Sequence, residues 1–244
     1  MKEVKKVLLI NASPKKERST TLNVSKAFVS GLEEVFDIKL DIINVFDLNI
    51  KPCLGCLSCW GRTEGECVIK DDDVIMVKNK IIDADIIIES FPLYFFGMPG
   101  ILKLLTDRLL SMMNTYRGQI APVDGKSFHG LRYYNENQKF IVFSSCAYTE
   151  SDKIFEPLTK EFDCIFGKNG YLFFPLPQLM TLIDLKNQTK INKYLDNFRT
   201  AGKEFALNET VSEDLMNLLK KPPFSVGAYK IFLDNFWKEQ KGER

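Results

Sequence analysis

KVLLINASPKKERSTT, from Lys6 to Thr21, decides how the rest of the chain is read. Its apolar run, Val7-Leu8-Leu9-Ile10, reads as a strand buried on both faces. A polar loop follows. Beyond it, Val24, Phe28, Leu32 and Val35 recur at helical spacing and make one face. Ser19, Thr20 and Thr21 stand where that helix begins, and hydroxyl residues are favoured N-caps. A strand feeding a helix through such a loop aims free N–H groups and the positive end of the helix dipole at one point, which suits an anion. Ser13 adds another hydroxyl. The loop holds no Gly, so neither G-x-G-x-x-G nor G-x-x-x-x-G-K-[ST] can be drawn through it. Those signatures need Gly so that the backbone can press against a pyrophosphate. A terminal monophosphate, such as that of FMN, needs no such approach. An ordinary capped helix accounts for the same residues, and the loop alone leaves both readings open.

The pattern repeats along the chain. Lys39–Asn44 reads as a second strand. Asp71, Asp72 and Asp73 open a helix with apolar Val74, Val77, Ile81 and Ile82, the acids being helix-start charges. Ala84–Ser90 is a third strand, and Met98–Met113 a helix with Ile101, Leu102, Leu105, Leu109 and Met112 at helical spacing. Asn114–Gln138 is a long polar connection, with Tyr116, Tyr133, Tyr134 and His129, the single histidine, read as a surface residue. Lys139–Ser145 is a fourth strand. A helix spans Ser151–Phe166, secure only after Pro157, and Gly167 stops it. Gly170–Phe174 is a fifth strand and Asn187–Ala206 a helix. Strands alternating with helices give a doubly wound parallel α/β sheet, and five strands fit the order 2-1-3-4-5. A ligand then binds outside the carboxyl ends of strands 1 and 3. That brings together the loops Asn11–Thr21, Pro92–Gly97 and Ser144–Tyr148. We divide the chain into a domain over 1–207, with a cysteine loop over 52–70, and a helical extension over 208–244. In the extension Ser212–Leu219 and Val226–Trp237 read as helices. Tyr229, Phe232, Leu233, Phe236 and Trp237 give the last one an apolar face, which packs on its own chain or docks on a second subunit.

The 244 residues are 45% hydrophobic and 27% charged, with a net charge of +1. That balance gives no electrostatic case for nucleic acid or an anionic membrane. The first apolar run is too short for a signal segment, and no stretch approaches a membrane span. A cytoplasmic protein is expected, with its six Cys as thiols or metal ligands.

At the expected switch point stands Pro92-Leu93-Tyr94-Phe95-Phe96-Gly97-Met98-Pro99. Aromatics at a strand end are core or a cofactor wall; opposite a phosphate loop they suit a flat heterocycle. Here the chain resembles the NAD(P)H-dependent FMN reductases of flavodoxin-like fold. The resemblance rests on Ser13-Pro14-Lys15…Ser19-Thr20-Thr21, on Pro92-Leu93-Tyr94…Pro99, and on Leu102-Lys103…Asp107-Arg108 in the next helix. It implies FMN with its phosphate at Ser13, Lys15, Ser19, Thr20 and Thr21 and its ring along Pro92, Leu93, Tyr94 and Phe95. Ser145, Cys146 and Tyr148 join from the third loop.

The second strong feature is Cys53-Leu-Gly-Cys56-Leu-Ser-Cys59, with Cys67 after seven further residues. C-x₂-C-x₂-C with a fourth thiolate nearby is the spacing of a compact Fe–S cluster. The position, after the second strand, and the following Cys67-Val-Ile-Lys-Asp-Asp resemble the iron–sulfur flavoproteins. A [4Fe-4S] cluster on Cys53, Cys56, Cys59 and Cys67 is the implied ligand set. Tetrahedral zinc, a Cys53–Cys56 redox dithiol and a metal-free loop packed around Trp60 and Leu54 remain alternatives. Cys146 and Cys164 have no spacing partner and read as buried thiols.

These features predict an FMN-dependent oxidoreductase with NAD(P)H as co-substrate, or a reduced protein as donor. Its acceptor would be a quinone, nitro compound, flavin or redox protein. The flavin does the hydride chemistry, so no catalytic side chain is assigned. The rival readings are a metal-free FMN reductase with a structural cysteine loop, a non-catalytic flavodoxin-type electron carrier or sensor, and a binding module that uses the aromatic loop for a partner. A homo-oligomer, dimer or tetramer, is expected.

Overall fold

The computed structural model describes residues 2–115, 129–133, 135–178 and 188–242, with side chains of 188–190 excepted. Tyr116, Tyr134 and Asn187 lie outside the described residues. The elements in order are β1 (Val4–Asn11), α1 (Thr20–Leu32), β2 (Asp37–Asn44), α2 (Val74–Asp83), β3 (Ile86–Pro92) and α3 (Gly100–Arg108). They continue with β4 (Lys139–Ser145), α4 (Asp152–Phe166), β5 (Leu172–Leu176), α5 (Gln188–Asn208), α6 (Glu213–Leu219) and α7 (Val226–Gln240). The five strands form one parallel sheet in the order β2-β1-β3-β4-β5, as expected.

Alternation along the strands divides the core between two faces. Val7, Leu9, Ile86, Ile88, Ile141 and Phe143 meet Phe28 of α1 and Phe198 of α5. Leu8, Ile10, Ile87 and Val142 meet Val77 of α2, Leu105 of α3 and Phe162 of α4. On the first face the helix backbones nearly touch: a Cβ on Gly202 would lie 1.9 Å from the Phe28 carbonyl oxygen. Leu219 of α6 is buried in the same cluster, so the first helix of the C-terminal extension shares the sheet's core. None of the helices among the described residues is long and apolar enough to cross a membrane.

Several boundaries differ from the expectation, each for a physical reason. β3 runs on through Phe91 and Pro92 because β4 offers Ser144 and Ser145 as ladder partners. β5 begins two residues late because the Gly170 N–H closes a turn onto Gly167. The strand then takes in Pro175, which an edge strand tolerates. The helix after β3 ends at Arg108 and tightens into a 3-10 turn over Leu109–Met112. Pro157 does not delay α4, which starts at Asp152. Buried Phe155 and Leu158 hold that turn on either side of the single lost backbone bond.

Candidate functional site at the switch point

Three loops leave the carboxyl edge of the sheet side by side. The Ala12 N–H donates to Ser90 O (2.9 Å), Leu93 N–H to Ser145 O (2.7 Å) and Cys146 N–H to Leu176 O (3.0 Å). The convergence expected from the strand order is therefore present.

The first loop is built around Asn11, a fully buried side chain that the sequence reading passed over. Its Oδ1 accepts from Ser13 N–H (3.3 Å). Its Nδ2 donates to Lys16 O (3.2 Å) and Asn44 Oδ1 (2.8 Å). A polar residue closing an apolar strand was the available signal. Lys16 adopts the left-handed region (φ 48°), which folds the loop back toward α1. Ser19 is the N-cap, its Oγ accepting from Leu22 N–H (3.3 Å). The earlier N–H groups of the helix, at Thr20 and Thr21, have no carbonyl one turn before them to bond. Ser13, Ser19 and Thr21 are buried, whereas Lys15 is exposed.

Hydroxyls tie this loop to its neighbours. Thr21 Oγ1 and Ser145 Oγ are 2.6 Å apart, joining the first loop to the third across 124 positions. Ser25 Oγ donates to Ser90 Oγ (3.0 Å), joining α1 to β3. Ser25 and Ser90 also escaped the sequence reading, since a lone serine carries no pattern.

In the second loop Tyr94 and Gly97 exchange both backbone hydrogen bonds at 3.0 Å around Phe95 and Phe96. These central residues have φ of 53° and 64°, a pair of left-handed conformations usually given to Asn-Gly. The turn costs about 1–2 kcal/mol at each such residue. It holds Phe95 fully in solvent, at 102% exposure, with Tyr94 and Phe96 about half exposed. The aromatics are therefore not core. Phe96 lies nearly parallel to Tyr148 of the third loop, centroids 6.4 Å apart and planes at 16°. Pro92 and Leu93 are partly buried beneath. Cys146 is buried as expected, and burial pushes its thiol up to about 11. Cys164 is exposed, against expectation, because it sits on the outer side of α4.

The cysteine loop docks elsewhere, on the last turn of the α3 segment. The Trp60 indole donates to Leu110 O (3.2 Å) and packs on His129, 4.9 Å between centroids. Lys78 donates to Gly65 O (2.6 Å) and Glu66 Oε1 (2.9 Å). Arg108 is the hub. Its fully buried guanidinium pairs with the equally buried Asp72 and donates to Lys51 O (2.8 Å) and Ile69 O (3.3 Å). Burial alone would raise the Asp72 carboxyl, but Arg108 and the N–H groups of Lys51 and Val74 hold it below its ordinary value. Asp72 is thus a structural ion-pair partner as well as a helix-start charge.

Cys53, Cys56, Cys59 and Cys67 all line one small cavity of about 20 Å³, rimmed by Leu54, Leu57, Val68, Ile69 and Arg108. As a donor set, four thiols around one apolar cavity fit a thiophilic cluster. Among the described residues, however, no three His, Cys, Asp or Glu side chains stand in a metal-holding arrangement. Cys53 and Cys56 are exposed, Cys59 and Cys67 half-buried. Hydrogen bonding to Ser58 lowers the Cys56 thiol, while burial and then Cys67 raise that of Cys59.

A family model described as flavodoxin-like fold matches residues 5–170. An iron-sulfur flavoprotein of Methanocaldococcus jannaschii is 42% identical over 104 residues, 42% of this chain and 51% of that protein. An FMN-dependent NADH:quinone oxidoreductase of Exiguobacterium sp. is 29% identical over 121 residues, 46% of this chain and 57% of that protein. The chain spans about half the length of these curated relatives. Among solved structures, an NAD(P)H:quinone oxidoreductase from Methanothermobacter marburgensis has a TM-score of 0.58 at 20% identity, covering 83% of this chain and 96% of that one. That likeness is one of fold.

Proposed function

This chain belongs to the flavodoxin-like fold family, and we propose that it is an FMN-dependent oxidoreductase driven by NAD(P)H or by a reduced protein partner. One observation carries the reading. A buried hydroxyl cradle at a helix N-terminus and an exposed aromatic turn meet at the sheet's switch point. The N–H groups of Thr20 and Thr21, with the hydroxyls of Ser13, Ser19 and Thr21, would hold the terminal phosphate. Pro92, Leu93, Tyr94 and Phe95 would border the ring, with Ser145, Cys146 and Tyr148 closing the third side. Lys15 would contribute charge at the rim. The bound flavin would accept a hydride and release electrons singly or in pairs. The protein's part is to position it. The acceptor class is a quinone, nitro compound, flavin or electron carrier, the quinone being the acceptor named for the Exiguobacterium relative.

We further infer a [4Fe-4S] cluster on Cys53, Cys56, Cys59 and Cys67. The support is their shared cavity, their spacing and the iron-sulfur relative. Arg108 and the hydrophobic rim would shield it. A metal-free reductase is the second reading. It is favoured by the loop's own anchors, none of which needs a metal: Trp60, Glu66 and the Arg108–Asp72 pair. Self-association is also proposed, supported by the exposed Ile231 and Trp237 of α7.

The test is direct. Apo-protein should quench the fluorescence of added FMN at one site per chain, and NADH or NADPH should bleach the bound flavin within the enzyme's turnover time. Failure to take up FMN would end the reading. Uptake without bleaching by either nicotinamide would leave an electron carrier. Anaerobic preparation should give about four iron and four sulfide per chain, lost in Cys56→Ala. Absence of iron would favour the metal-free reductase.

A further inference from the structure

We propose that the C-terminal segment is a latch on the third cofactor loop, with Tyr229 as its positioning residue. The proposal rests on the FMN site above and extends it to residues beyond the family match, which ends at 170.

The segment grips the loop at two points. The Tyr229 hydroxyl donates to the Ala147 carbonyl, across 82 positions. Five residues earlier, Phe224 N–H donates to Gln178 Oε1 (3.1 Å), and Gln178 N–H donates to the carbonyl of Tyr148 (3.0 Å). Gln178 is fully buried and left-handed, at φ 54°, so its backbone is committed to this geometry. Ala147 and Tyr148 are therefore held from the tail, one directly and the other through Gln178. Tyr148 in turn lies parallel to Phe96 of the aromatic turn. The route to the ring site is two hydrogen bonds and one ring pair long from Phe224, and one hydrogen bond, one peptide unit and the same ring pair long from Tyr229 of α7.

Mere covering of apolar surface does not explain the choice of residue. Tyr229 is 3% exposed, while Val226 and Ile231 on the same helix stay in solvent. A phenylalanine would cover the same surface without a hydroxyl to satisfy. Burial, with Cys146 beside it, pushes the phenol up to about 12, so it stays a donor throughout the physiological range. The bond is directional, and its acceptor is a loop carbonyl with no other partner in the sheet ladder. Ser225 fixes where α7 starts, its Oγ accepting from Ala228 N–H (3.3 Å). The stiff Pro222-Pro223 pair fixes the approach. Together these make α7 a strut that sets where Ala147 and Tyr148 stand.

The experiment compares Y229F and F236A in the full chain. Y229F keeps the ring and removes only the donor. F236A removes an aromatic of the same helix that has no hydrogen bond to the loop. Each is titrated with FMN, melted with and without FMN, and recorded by visible circular dichroism at saturating FMN. For Y229F the expected result is an FMN dissociation constant raised roughly threefold to tenfold, as loss of one buried donor implies. Its flavin circular dichroism should change even when every chain is loaded. F236A should lower the apo melting temperature without moving either FMN readout. A Y229F protein with wild-type affinity and wild-type flavin circular dichroism overturns the latch while leaving the FMN site intact. Equal FMN effects from both variants overturn it too, since general destabilisation would then suffice. Wild-type chain that takes up no FMN overturns the site and the latch together.

Discussion

The loop after β1 and the loop after β2 are both candidate cofactor holders, and they are built in opposite ways. In the first, the polar groups are buried and partnered: Asn11, Ser13, Ser19 and Thr21 bond to each other's backbone or to neighbouring loops. In the second, Cys53 and Cys56 are exposed, and the partners that fix the loop are not the cysteines. Trp60, Glu66 and the Arg108–Asp72 pair fix it from behind. A cradle of N–H groups and hydroxyls is pre-formed by the fold, before any ligand binds. A thiolate set gains its final geometry from the metal it binds, since binding and local ordering are coupled.

The largest effect should come from breaking the second loop's anchor. Asp72→Ala leaves a buried guanidinium unpaired, and removing one partner of such a pair costs about 3–5 kcal/mol. Urea unfolding should show it. FMN affinity of the remaining folded protein should be nearly unchanged, because the cradle has its own bonds. Equal loss of FMN binding would erase the distinction between the loops.

The next effect contrasts a partnered buried group with an unpartnered one. Glu89 on β3 is 8% exposed, and its Oε2 has no hydrogen-bond partner among the described residues. It faces a groove that Lys103 and Asp107 of α3 and Glu161 of α4 also line. Burial, and then Glu161, push its carboxyl up to about 8. A native value raised above the unfolded one stabilises fully only below the unfolded value near 4.5, and the gain fades as pH rises toward 8. Wild-type stability should thus fall by roughly 2–4 kcal/mol between pH 5 and 9 from this group. Glu89→Gln should flatten the profile. An unchanged slope in the variant would assign the pH dependence to other groups.

A smaller effect tests the cradle itself. Thr21→Val removes the hydroxyl shared with Ser145 and should weaken FMN binding about tenfold, or roughly 1.4 kcal/mol. Isothermal titration would read it, and wild-type affinity would mean that the two loops are not coupled through this bond. The smallest effect on stability should be at the exposed Cys56. Cys56→Ser should change unfolding free energy by less than about 0.5 kcal/mol and leave FMN affinity alone, while abolishing iron uptake.

The same contrast explains what could be seen in the sequence. Strand order, helix starts and the three converging loops were legible because each rests on local pattern: apolar runs, the Ser19 cap, the Pro and Gly around the aromatic turn. Partners chosen across the fold were not. Ser25 and Ser90 carry no local signature, and Asn11 shows only a polar residue closing an apolar strand; their partners exist only once β1, β2, α1 and β3 lie side by side. Asp72 looked like one of three equivalent helix-start acids, and only tertiary packing selects it for Arg108. Tyr229 likewise belonged to an apolar stripe until its hydroxyl met Ala147. The helix read over Ser151–Phe166 runs through Pro157 because a single missing backbone bond in its second turn is outweighed by the buried Phe155 and Leu158 beside it.

The central claim is that one mononucleotide bridges the loops after β1 and β3. A crystal structure of the chain grown with FMN measures this most directly. The account predicts phosphate density at the N–H groups of Thr20 and Thr21, with the tricyclic ring against Leu93 and Tyr94 and within contact of Tyr148. Density for FMN at any other place on the molecule, or none in crystals grown at saturating FMN, would contradict it.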